Sequence, residues 1–555
     1  MKFVTNDPRK VSDISGFDSW YQSLPPKLGI DQFRTVLPLL VSGGADGPVL
    51  IAKEIDRTNL QALELDGLGV VFHTPYFSFD RYDGGQMPAV YADVYEAFDA
   101  VVGDEAKLDP DLSISLYERL RARLADAPPV RAEVFRVPLN HYMISRESVL
   151  TARQASHEIG ARIAETYLPE MPDAVALKEW LQRPVGDCLR VLDDLMAERG
   201  IDALLASSPI NVQHLTGVSA GVLGEDVWAV YSRGAADVHL LARREIPWST
   251  LPIEQPASRD FLLRHVPSGR IGYEELDLTA KAYFGFGLEN AGPVAASLTL
   301  RRWRELRSWE DLGFYIVGAQ ATRRGIDGAM QTVRSAVDRG APVTELDAYE
   351  AYRTTVAAEL ARSPVRLNVR TYFTHTHGGN RTHIPARATV HSLNPLTSLK
   401  MDAGLEIYDH SWSLRAVSDI TRSAVGTQEG VAFYDLASEG LVGGVVAACR
   451  PGVTGEEIYR SGMGWMERHH EAVRRLGLCP DDVAEFTSSF GRDVGHLLGT
   501  QEPATVAFER GNSAVLEPGM LAAAEIQWPY RDKCIGVEDI FLITEDTPIN
   551  ITRND

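Results

Sequence analysis

Three carboxylates stand inside apolar, strand-like runs near the end of the chain: Glu525 in PGMLAAAEIQW, and Glu538 with Asp539 in CIGVEDIFLIT. An acid buried among Ala, Ile, Val and Leu is costly unless it is ion-paired, protonated or coordinated to a metal. Any fold open to this chain must therefore bring partners to these positions. A structural ion pair would satisfy each acid singly. Several such acids in one region point to a shared partner.

A related pattern lies upstream, in YDHSWSLRAVSDITRS (Tyr408–Ser423). Leu405, Ile407, Asp409 and Ser411 alternate with Glu406, Tyr408, His410 and Trp412, and Val417, Asp419 and Thr421 alternate with Ser418, Ile420 and Arg422. Two period-2 runs with little between them predict a hairpin. A turn centred on Leu414 sets Asp409 opposite Asp419, where like charges destabilise a ladder. A cation between them removes the objection; two unrelated acids on an exposed hairpin is the plainer alternative. His496, between the glycines of GRDVGHLLGT, sits where the backbone can approach a ligand closely. Carboxylate oxygen with one imidazole nitrogen suits hard or borderline divalent metals.

The remaining sequence narrows the class. A chain of 555 residues predicts two to four domains. A formal net charge of −21 disfavours nucleic acid and anionic membrane as partners. Cys188, Cys449, Cys479 and Cys534 form no CxxC pair, which argues for a reducing compartment and against a thiolate metal site. MKFVTNDPRKVSD has no apolar signal core, and no run approaches the roughly 18 apolar residues of a membrane span. A cytoplasmic location is expected.

Helix and strand rhythm divides the chain into an N-terminal α/β domain (1–170), a second α/β domain (171–305) and a strand-rich C-terminal domain (306–555) opened by a long helix from Trp309 to about Asp338. The segments 145–166 and 308–332 share an acid and an Ala/Arg rhythm, which suggests that the first domain is a degenerate duplicate of the second.

The order Asp409, Asp419, His496, Glu525, Glu538, in these contexts, resembles the creatinase/aminopeptidase P superfamily of pita-bread-fold metallohydrolases, which includes prolidase and Xaa-Pro aminopeptidase. SDITRS is similar to its second aspartate motif and GVEDIFLIT to its final glutamate motif; GLEIYDHS, GHLLG and AAAEIQW match more weakly. ERGIDALLASSPINVQHLTGV resembles the start of its N-terminal domain, so the likeness covers about residues 184–555. The resemblance implies an α/β N-terminal region followed by an α+β pita-bread domain, a homodimer, a small-molecule substrate and two divalent ions. Manganese or iron is favoured for those ions, with zinc and cobalt as alternatives. It implies that Asp409 holds one ion, that Asp419 and Glu538 bridge the pair, and that His496 and Glu525 complete the shell, with Glu525 as general base. His383 in GGNRTHIP would stabilise an oxyanion or carry a proton. His375 and His377 in YFTHTHGG would line the pocket or simply pack, and Thr421 and Arg422 would support the ligands.

Three departures bear on the activity. The histidine that such peptidases carry four residues before the ligand histidine is Arg492 here, and the one seven residues after it is Pro503, beside Glu502. Arg492 then reads as a clamp for a substrate carboxylate or as an ordinary surface arginine. The spacing from Asp409 to Asp419 is one residue shorter than in most of these peptidases and resembles that of lyases acting on dimethylsulfoniopropionate. The sequence therefore predicts a metal-dependent hydrolase of a C–N bond in a small, carboxylate-bearing molecule rather than a typical peptidase. A lyase on the same scaffold is one alternative and a non-catalytic binding protein another.

Overall fold

The computed structural model describes residues 2–15, 38–44, 47–57, 60, 67–73, 90–125, 139–219, 226–243, 245, 269–381, 388–393, 399–424, 428–475, 493–498, 506–530 and 533–553. Two six-stranded sheets occupy the first half. The first is built from β1 (Lys2–Thr5), β2 (Leu39–Ser42), β3 (Val49–Lys53), β4 (Gly69–His73), β5 (Val90–Tyr91) and β6 (Ala106–Leu108), in the order β5-β4-β3-β2-β1-β6. The second uses β7 (Asn140–Ser145), β8 (Ala203–Ala206), β9 (Val227–Ser232), β10 (Asp237–Ala242), β11 (Ile271–Tyr273) and β12 (Pro293–Ala295), in the order β12-β11-β8-β9-β10-β7. The predicted helix, glycine stop and buried strand are present. Asp187 caps the helix Cys188–Glu198 by accepting from the N–H groups of Leu189 and Arg190. Gly200 then adopts φ 62°, which a side chain resists, and the fully buried β8 follows.

The boundary at residue 170 does not separate the sheets, because β7 pairs along its whole length with β10 of the second sheet. Each sheet contains an antiparallel meander, β1-β2-β3 and β8-β9-β10, with a parallel strand beside its first member, β6 and β11; the outer side differs, because β4 joins β3 in parallel and β7 joins β10 antiparallel. The segments 145–166 and 308–332 have a different relationship: they pack on each other. The helices Arg146–Ala164 and Leu312–Asp338 cross where Gly160 meets Gly313, so closely that a β-carbon on Gly313 would lie 2.0 Å from the Gly160 carbonyl oxygen. Beside the crossing, Arg153 and Arg307 both grip the buried Glu310 carboxylate, at 2.5 and 2.8 Å.

The helix Arg146–Ala164 also joins two cores. Val149 lies in that of the second sheet, whereas Ile163 and Ala164 lie in that of the C-terminal region. The chain returns to the second sheet with Cys188 and Leu189 and leaves it again after Trp303.

In the C-terminal region β13 (Val343–Thr344) pairs with β15 (Ser392–Leu393). A four-stranded sheet contains β14 (Asn368–Gly378), β16 (Leu399–Tyr408), β17 (Leu414–Val417) and β18 (Ile420–Ala424); a second contains β19 (Gly495–Leu497), β20 (Leu521–Tyr530), β21 (Lys533–Leu542) and β22 (Ile549–Asn550). β16 is buried throughout and is shared: β17 pairs with its end and β18 with its beginning. Met401, Ala403, Leu405 and Ile407 join the same apolar core as Phe314, Ile316 and Ala319 of the long helix. The alternate face carries Lys400, Asp402, Glu406 and Tyr408, all buried. This polar interior face locates the site.

Candidate metal centre

Register decides which groups share that face. His375, Asp402 and Thr421 lie level on β14, β16 and β18, and His377, Lys400 and Ser423 form the next row. Residues opposite one another in a ladder project to the same side. Asp419, two residues before Thr421, continues that side through the break between β17 and β18. It is 3% exposed.

The second sheet supplies a matching face. Glu525 is directly opposite Glu538, and His496 opposite Ala523, which puts His496, Glu525, Gly536 and Glu538 on one side. The two faces meet at β18 and β21. Thr421 Oγ1 donates to Glu538 Oε2 at 3.3 Å, and Ser423 Oγ donates to the Gly536 carbonyl at 3.1 Å. A β-carbon at Gly536 would stand 2.3 Å from Thr421 Cγ2, so glycine is what lets the sheets approach.

At this seam one ligand atom from each of Asp419, His496 and Glu538 lies within 4.8 Å of the others. His496 Nδ1 is 3.1 Å from the Leu497 carbonyl oxygen. Only a protonated Nδ1 can make that bond, which leaves the lone pair on Nε2, the tautomer a metal ligand needs. Two carboxylates and a neutral imidazole fit a divalent ion. Arg422 braces them from behind, donating to the Glu538 carbonyl and to Asp539 Oδ1 at 2.5 Å. Asp539 also accepts from Arg553 at 2.6 Å. Burial disfavours its ionised form, but the two guanidiniums outweigh this and hold its carboxyl below the usual range. Asp539 is thus the ion-paired member of its strand.

Residues 317–545 match the family model of metallopeptidase family M24. They form an M24 domain. Among solved structures, the prolidase from Pyrococcus horikoshii OT3 is 16% identical, over 67% of this chain and 99% of its own, with a TM-score of 0.49. The X-Pro aminopeptidase from Thermotoga maritima MSB8 is 16% identical over 66% of this chain and 97% of its own, at 0.47. The N-terminal domain of FACT complex subunit SPT16 from Cicer arietinum (chickpea), 12% identical over 66% and 96%, reaches 0.52 and shares the fold. No curated protein sequence matches the chain. No helix among the described residues is long and apolar enough to cross a membrane.

Within the M24 domain, Asp409 is not where the sequence suggested. Ile407 pairs with Ala416, not with Thr421, so Asp409 falls beyond the end of β16 and Asp419 has no acid opposite it. Asp409 instead organises the turn. Its Oδ1 accepts from the N–H groups of Ser411 at 2.8 Å and Ser413 at 3.0 Å, and its Oδ2 binds Arg415 at 2.8 Å. Burial raises its carboxyl, but Arg415 and the two serines outweigh this and keep it below the ordinary range. In this arrangement the Asp409 carboxylate fastens the turn.

The β16 acids that share a face with Asp419 are Asp402, 6% exposed, and Glu406, which accepts from Tyr408 and pairs with Arg370. The alternation read in the sequence begins at Leu405, beyond Asp402. Extended backward, the same rhythm puts Asp402 and Lys400 on the face opposite Met401 and Ala403. Glu525 is on the correct face, opposite Glu538, but outside the 4.8 Å cluster. His375 and His377 are buried, at 5% and 0% exposure, with ring centroids 5.7 Å apart. His383 and Arg492, with Glu502 and Pro503, lie outside the described residues.

Proposed function

We propose that the chain is a metal-dependent hydrolase that cleaves a C–N bond in a small, carboxylate-bearing substrate. The observation that carries this reading is the convergence of Asp419, His496 and Glu538 in an M24 domain. When bound, a divalent ion supplies Lewis acidity and a lowered pKa for water.

The protein's own groups supply the rest. Thr421 orients Glu538, and the Leu497 carbonyl fixes the His496 tautomer. Glu525, level with Glu538, is the general base that accepts the water proton. His377 and His375 border the same face and are the described candidates to hold or deliver a proton to the leaving nitrogen. Dipeptides belong in the substrate panel because the matched family model is one of metallopeptidases. The lyase alternative rested on the Asp409–Asp419 spacing and loses that support, since Asp409 fastens a turn.

The test is metal analysis of the purified chain beside Asp419→Ala, followed by a screen of dipeptides and small N-acyl acids in ¹⁸O-water. Bound divalent metal, lost in the variant, with label appearing in a carboxylate product, is expected. No metal after reconstitution with manganese, iron, zinc or cobalt would overturn the proposal.

A further inference from the structure

The polar face of β16 carries a cation, Lys400, beside two acids, Asp402 and Glu406, and the chemistry above uses none of them. Lys400 is 4% exposed and lies on the same side of the strand as Asp402, two residues on, at a spacing of roughly 6.5–7 Å between their α-carbons. It is level with His377 on β14 and Ser423 on β18. Its stem runs against the second sheet: a β-carbon at Gly536 would meet Lys400 Cδ at 3.2 Å. Gly536 is two residues before Glu538 and on the same face. The lysine therefore belongs to the seam where the ligands converge.

A buried ammonium has to be compensated by nearby anions. The neighbouring acid on its own strand face is Asp402. Glu406, on the same side, is held by Tyr408 and Arg370, so Asp402 is the β16 carboxylate that a second ion beside Asp419, His496 and Glu538 would share with the lysine. A second divalent ion would stand beside a fixed positive charge with little water to screen it.

We propose that Lys400 is a resident cation of the M24 site, taking Asp402 as its counter-ion, and that the site consequently holds one divalent ion rather than two. This rests on the metal-dependent reading above.

The experiment is manganese loading of the full chain, with ions per chain counted by plasma mass spectrometry and spin coupling read by low-temperature electron paramagnetic resonance. Wild type should bind one Mn²⁺ with an uncoupled signal. Lys400→Met, which keeps the apolar stem and removes the charge, should bind two with a coupled signal. Lys400→Arg should remain at one, and the double variant Lys400→Met/Asp402→Asn should return to one. Asp402→Asn alone should retain its single ion with affinity within threefold of wild type. The last variant keeps the proposal testable if Lys400→Met fails to fold, which circular dichroism will show. Two ions in wild type, one in a folded Lys400→Met, or loss of the ion in Asp402→Asn would overturn the proposal and leave the hydrolase reading standing. No manganese in wild type would overturn this proposal; no metal with any of the four ions would remove the hydrolase reading as well.

Discussion

Replacing Asp409 separates a structural carboxylate from a coordinating one. In Asp409→Ala the side chain of Arg415, 10% exposed, loses its partner, itself 7% exposed. Removing one member of a buried ion pair costs about 3–5 kcal/mol, because the remaining charge stays desolvated. The buried Ser413 N–H also loses its acceptor, a further cost of about 1–3 kcal/mol, whereas exposed Ser411 regains water. These terms share one carboxylate and do not add fully, so a loss of about 4–5 kcal/mol is expected. The pH dependence has a definite sign. The folded carboxyl is held below its unfolded value of about 3.9, so its contribution is complete above that pH and is lost as pH falls through the folded value. The assay is urea denaturation of wild type and variant from pH 7 to pH 3, with metal content measured on the same samples. The gap should be constant from pH 7 to about 5 and should narrow below about 4, with metal content unchanged throughout. A variant of normal stability that has lost its metal would refute both the turn role and the register on which it depends.

Gly536→Ala would drive a methyl into Thr421 and the Lys400 stem, so manganese affinity should fall by about 10–100-fold as Thr421 leaves Glu538; competition against a fluorescent chelator measures this. Gly313→Ala would force apart the crossing with Gly160 at a cost of about 3 kcal/mol, visible as a lowered thermal midpoint. Burial opposes ionisation of Glu310, but Arg307 and Arg153 prevail and bring its carboxyl down to about 2. Its stabilisation should therefore be full above about pH 4.5 and decline toward pH 2. The stability gap between wild type and Glu310→Gln should follow that curve.

Glu538, His496 and Asp419 were readable from sequence because each sits in a short segment whose rhythm fixes its face. An acid in an apolar strand, or a histidine between glycines, is anomalous without any knowledge of distant neighbours. Asp409 was misplaced for a physical reason. The hairpin is closed by a side-chain turn with Trp412 at φ 62°, and such a closure can shift the pairing register by an odd number of residues, which reverses the faces. Period-2 counting carries no information about where a turn closes. Asp402 and Lys400 were hidden differently. They lie before Leu405, where the alternation read in the sequence begins, on a strand buried on both faces, so the pattern does not tell a buried polar side from an exposed one. The contact between 145–166 and 308–332 was visible as similarity, but similarity alone could not distinguish a repeated fold from two helices that touch.

The helix Arg146–Ala164 limits how the molecule can move. A domain joined by one linker can swing like a door. Here the second sheet is attached to the M24 domain by a continuous helix with an end in each core, by the return into Cys188–Glu198 and by the exit after Trp303. Three attachments, one of them clamped at a glycine crossing, remove the rotational freedom that hinge closure requires. Opening and closing of the site must then come from its own loops, and hydrogen exchange should find the helix Arg146–Ala164 among the last segments to exchange.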